Sequence, residues 1–116
     1  MKPAEEYILK QPESLQSILL HLQILVETNF EEAELLYKWK IPFYYLNNKP
    51  LCYFKATKKG YVDVGFYCSI ELKMYNEFLI SENIKAVKSL RYFQLEEIDS
   101  KVLVSVLSEA YELRNK

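Results

Sequence analysis

Carboxylates are the densest chemistry-bearing side chains in this 116-residue chain. Glu31, Glu32 and Glu34 crowd one short stretch, and Glu96, Glu97 and Asp99 crowd another just before the C-terminal segment. Such groups offer hard oxygen donors to a cation. Both also lie where a helix is expected to begin, and carboxylates are favoured there by the positive end of the helix dipole. Other chemistry is poorly supplied. Gly60 and Gly65 are the only glycines, too few and too scattered for a phosphate-cradling loop or a dinucleotide fingerprint. His21 is the only histidine, so His-rich metal sites and Ser-His-Asp arrangements have no basis. Cys52 and Cys68 make neither a CxxC motif nor a disulfide framework. No catalytic residue is assigned, and the chain is not expected to be an enzyme.

A second concentration is aromatic. The run "LYKWKIPFYYLNNKP" places Trp39, Phe43, Tyr44 and Tyr45 around Pro42, and the next segment adds Tyr53, Tyr61 and Tyr67. Pro42 disfavours helical geometry at Ile41, so the run reads as a helix-to-strand corner packed with aromatic surface.

These residues need elements to hold them. "ESLQSILLHLQILVET" sets Leu15, Ile18, Leu19, Leu22, Leu25 and Val26 at helical spacing, with His21 on the solvent side. "NFEEAELLYKWK" reads as a second helix, with Asn29 as its cap, Glu32 completing a capping-box pattern and Glu34 paired to Lys38. "FYYL" is then a strand and "NNK" a turn.

"LCYFKATKKGYVDVGFYC" reads as a hairpin closed at Lys58-Lys59-Gly60. With Thr57 opposite Tyr61, Lys55 faces Asp63 and Tyr53 faces Gly65, where a ring can cover bare backbone. Cys52, Phe54, Ala56, Val62, Val64, Phe66 and Cys68 share one apolar face, which makes both cysteines buried, unreactive thiols. Leu51, Tyr53, Lys55, Tyr61, Asp63, Gly65 and Tyr67 share the other, a half-exposed face open to solvent, another chain or a ligand. Tyrosine is enriched at interfaces, so Tyr53, Tyr61 and Tyr67 are the candidate interface of a homodimer. "ELKMYNEFLISEN" reads as a short helix after a loop, with the conformation of 69–83 left open. "AVKSLRYF" reads as a strand, and the chain ends in a helix capped by Asp99 or Ser100 with Leu103, Val106, Leu107 and Ala110 inward.

The expected fold is therefore α+β, an antiparallel sheet of about four strands with helices packed mainly on one face, in a single domain over 1–116. A net charge of −1 lacks the basic excess of a general nucleic-acid binder. No stretch approaches the roughly 20 apolar residues of a membrane span, and the first residues lack the apolar core of a signal peptide. Neither nucleic acid nor membrane is expected as a partner, and the expected location is the cytoplasm.

"YILKQP", the helix at Leu15 to Val26, "YKWKIPFYY", "LCYFKATKKGYVDVGFY" and "SLRYFQLEEIDSKVLVSVLSEA" together resemble the YdhG-like bacterial domains. The most specific match is the Trp-x-x-Pro-x-Tyr corner at Trp39, Pro42 and Tyr44 or Tyr45. Lys40 stands where many relatives have glycine, and "SIELKMYNEF" replaces a glycine-rich stretch. The family is largely uncharacterised and includes frataxin-like intracellular iron chaperones. The resemblance thus implies a frataxin-like sheet-and-helix fold and a non-enzymatic role with no firm cofactor. It also implies weakly held iron on surface carboxylates, for which Glu31, Glu32, Glu34, Glu96, Glu97 and Asp99 are the candidates, and an iron-receiving protein as partner.

Overall fold

A computed structural model describes residues 2–67, 72, 73, 75–80 and 87–114. Two helices come first: α1 over Pro3–Leu9 and α2 over Glu13–Asn29. Five strands follow, β1 (Glu34–Lys38), β2 (Ile41–Leu46), β3 (Lys49–Ala56), β4 (Val62–Tyr67) and β5 (Val87–Tyr92), and α3 (Ser100–Arg114) closes the chain. The strands pair antiparallel in sequence order, β1-β2-β3-β4-β5. The fold is α+β, with one strand more than expected and an additional short helix at the start.

Alternation decides which face of the sheet is covered. Tyr44, Cys52, Phe54, Val62, Val64, Phe66, Leu90 and Tyr92 point to one side and join a single cluster with Ile8, Ile18, Leu19, Leu22 and Val26 from α1 and α2. Leu103, Val106, Leu107 and Ala110 complete it from α3, each fully buried as the helical spacing predicts. Fully burying such a leucine or valine contributes about 1.5–3 kcal/mol. Asp99 starts α3 by accepting hydrogen bonds from the backbone N–H of Lys101 (3.0 Å) and Val102 (3.3 Å). In α1, Tyr7 closes the helix onto the sheet: the N–H of Ala56 donates to its hydroxyl at 3.0 Å.

The β3–β4 hairpin has the expected register, with Tyr53 opposite Gly65, Lys55 opposite Asp63, and the Thr57 N–H donating to the Tyr61 carbonyl. Leu51 departs from its expected face. Register slips where Tyr44 pairs with Cys52 but Tyr45 pairs with Pro50, so both Leu51 and Cys52 turn inward and are buried. Pro50 has no N–H to give the ladder, and a bulge is where a strand tolerates that loss.

The expected second helix does not form. Asn29 is the last residue of α2 rather than a cap, its side-chain amide donating to the Leu25 carbonyl at 2.8 Å. Glu34 to Lys38 are strand β1, joined to β2 by a two-residue turn, Trp39-Lys40. Both turn residues have positive φ, 49° and 67°, the backbone of a type I′ hairpin turn. The segment's charge pattern suits a helix start, but pairing with β2 sets Leu35 against the core beside Tyr44, and tertiary packing overrides local propensity. The expected helix at 71–83 is only a 3₁₀ turn at Asn76–Phe78 among its described residues. The backbone of Ile80 beyond it exchanges hydrogen bonds with Ser89.

Candidate interaction face

No helix packs against the second face of the sheet among the described contacts, and the register puts one row of residues straight across it: Leu36, Phe43, Tyr53, Gly65 and Ser89. Phe43 is only 2 % exposed although it lies outside the helix-covered core. Among the described residues its cover includes three aromatic rings. Trp39 meets it edge-on with ring centroids 5.2 Å apart, Tyr53 lies at 5.2 Å and Tyr45 at 6.2 Å. Such pairs contribute about 0.5–1.5 kcal/mol beyond their area. Tyr53 in turn lies over Gly65 so closely that a Cβ there would sit 2.1 Å from its Cζ. The glycine is therefore what lets the ring lie flat on the sheet.

Toward one end of the face the chemistry turns polar. Arg91 grips Asp63 with two hydrogen bonds, Nε–Oδ1 at 2.8 Å and Nη2–Oδ2 at 3.1 Å. Its guanidinium also stacks 4.0 Å from the centroid of the Tyr61 ring, and Tyr61 meets Phe93 at 5.3 Å. The expected Lys55–Asp63 neighbours are opposite each other, but the ion pair of Asp63 goes to Arg91, whose planar fork matches a carboxylate better. Lys55 stays exposed. Tyr53 and Tyr61 thus both belong to this face as expected. The side chain of Tyr67, and all of Cys68, lie outside the described residues.

The carboxylates are dispersed. Glu31 and Glu32 are exposed in the turn before β1, and Glu34 begins that edge strand. Glu34 borders a cleft of about 440 Å³ with Glu5, Glu27 and Lys2. Of the second group, Glu97 accepts hydrogen bonds from the backbone of Phe93 and Gln94, and Asp99 caps α3. Among the described residues no three His, Cys, Asp or Glu side chains come together as a metal-holding group.

Buried titratable groups serve the core. The Tyr44 hydroxyl donates to Glu27 Oε2 at 2.6 Å, and burial first, then that carboxylate, pushes its pKa well above the phenol range. Burial likewise raises the Cys52 thiol, which keeps it protonated and inert, as expected from its apolar strand face. Tyr92 is raised by burial and, less, by Asp99. What sequence reasoning missed is the part of the face contributed by Trp39, Phe43 and Tyr45. Their signal was present, since Trp39-Lys40 between two β-favouring runs has the length of a hairpin loop, but neither residue is the glycine or asparagine that usually marks one.

No helix among the described residues is long and apolar enough to cross a membrane. Comparison with curated proteins and with solved structures gives no match. A family model does match, over residues 4–114, and the chain belongs to that family, described as a domain of unknown function, DUF5655.

Proposed function

We propose that the protein works as a non-catalytic interaction module whose aromatic sheet face, against which no helix packs among the described residues, pairs with the same face of a second copy. The observation that supports this reading is the row from Leu36 to Ser89, where Phe43 is sealed by other rings and Tyr53 is laid flat on Gly65. Flat, rigid aromatic surface binds at low entropic cost. The charges at the ends of β1 favour a self-complementary match. Glu34 and Lys38 lie on this same face at opposite ends of the strand, so a two-fold axis across the strands sets each against the other's partner. Sedimentation velocity tests the idea: a concentration-dependent dimer is expected for the wild type and a monomer for Tyr53→Asp. A single monomeric species at every concentration would refute it. Iron handling by surface carboxylates rests on the family resemblance alone, and no feature of the face calls for it.

A further inference from the structure

One end of the sheet combines exposed apolar side chains with lysines. β1, β3 and β5 run toward this end, so the β1–β2 turn at Trp39-Lys40 and the β3–β4 turn at Lys58–Gly60 lie side by side on it. Two strand spacings, about 10 Å, separate adjacent hairpins. The end of α1 joins them, since Gln11 and Pro12 share a cleft with Thr57, Lys58 and Gly60. Here Trp39 is 74 % exposed, and Leu9 and Tyr37 are also among the exposed large hydrophobic residues. Around them stand Lys10, Lys38, Lys40, Lys55, Lys58 and Lys59, all exposed, against Glu6 and Glu13, while the exposed Glu96, Glu97 and Asp99 that follow β5 lie at the far side of the same end.

Trp39 is also in an unfavourable conformation. Left-handed backbone is expensive for residues other than glycine and asparagine, yet Trp39 and Lys40 both hold it. Contact with Phe43 uses only a small part of the indole, most of which stays in water. A protruding indole ringed by lysines has the chemistry of a bilayer interface, where tryptophan settles at headgroup level and lysines meet anionic lipid. We propose that the corner of this end formed by the β1–β2 and β3–β4 turns docks on an anionic lipid surface, with Trp39 seated among the headgroups and the carboxylates after β5 facing away from it. The aliphatic Leu9 beside the indole favours lipid over single-stranded nucleic acid, which is held in grooves lined by stacking rings. The expectation of no membrane partner came from the lack of a spanning segment, and peripheral docking requires none.

Trp39 is the only tryptophan, so its emission reports directly on this end. The test uses the full chain with phosphatidylcholine vesicles containing about 30 % phosphatidylserine, beside vesicles of phosphatidylcholine alone. The expected result is a blue shift and co-sedimentation with the anionic vesicles only, reversed by high salt. Lys58→Gln/Lys59→Gln should weaken partitioning about 25-fold, roughly fivefold per lysine. Trp39→Asn/Lys40→Gly, which supplies ideal type I′ turn residues and so keeps the fold, should abolish sedimentation with vesicles. The proposal is overturned if wild type ignores anionic vesicles, if it partitions equally onto neutral ones, or if the turn variant binds as well as wild type. A blue shift with a single-stranded oligonucleotide but not with vesicles overturns it in favour of nucleic acid.

Discussion

The β1–β2 and β2–β3 connections are both two-residue turns with two residues at positive φ, built from opposite chemistry. Asn47 and Asn48 hold φ of 55° and 64°; Trp39 and Lys40 hold 49° and 67°. Asparagine tolerates that geometry because its short amide can bond locally. Tryptophan and lysine have no such compensation, and each costs roughly 1–3 kcal/mol there. One sheet thus contains a turn whose residues are explained by local folding and one whose residues are not. Where the backbone is the same, the difference must lie in the side chains.

Exchanging the chemistry is the strongest way to break that comparison. Asn47→Trp/Asn48→Lys should lose roughly 2–4 kcal/mol in urea denaturation, including the bond from the Asn47 amide to the Tyr111 hydroxyl at 3.3 Å. A loss under about 0.5 kcal/mol would show that left-handed backbone is cheap in this sheet, and the contrast would fail. A smaller change is expected in the other direction. Trp39→Asn/Lys40→Gly should gain about 1 kcal/mol net, the relief of turn strain outweighing the lost edge contact on Phe43. If it instead destabilises the protein, covering Phe43 is the main work of Trp39.

The smallest effect concerns how the two turn variants differ in alkali. Tyr44, Tyr92 and Cys52 all have folded pKa values raised above their ordinary ones, chiefly by burial. Their folded forms hold protons that the unfolded chain releases, from about pH 9 for the thiol and about pH 10 for the phenols. Stability conferred by these groups is present below that window and falls as pH rises through it, by up to about 1.4 kcal/mol per pH unit for each group. None of the three residues belongs to either turn. Both variants should therefore lose stability in parallel with wild type between pH 8 and about 10.5, within about 0.5 kcal/mol, as followed by urea denaturation and phenolate absorbance. Divergence would mean that a turn is coupled to the buried phenols.

The same contrast explains what was legible in the sequence. Lys58-Lys59-Gly60 announces a turn, and the alternation on either side fixes β3 against β4 to the residue, so Tyr53 over Gly65 could be read directly. α2 and α3 were equally plain, because apolar residues at helical spacing bury where the period says. Glu34 to Lys38 was misread because the residues that turn the chain back, Trp39 and Lys40, carry no turn signal. With the hairpin hidden, the glutamates looked like a helix start, and Phe43 looked like part of a corner rather than the centre of the second sheet face. Residues without turn chemistry hide the turn they make, so the part of the face at Trp39 was the hardest to see.

The order of the strands also bears on how quickly the native state is reached. Each strand pairs with its neighbours along the chain, and the first three links are tight hairpins, so the search for partners is short and contact order within the sheet stays low. The hairpin at Lys58–Gly60, with its favourable turn, is the natural place for pairing to nucleate. Joining β5 to β4 must close a connection spanning 68–86, and closing the strained turn at Trp39 brings an energetic penalty at the opposite edge. The sheet would then zip from its middle outward, leaving β1 and β5 as the last strands to dock and the first to let go.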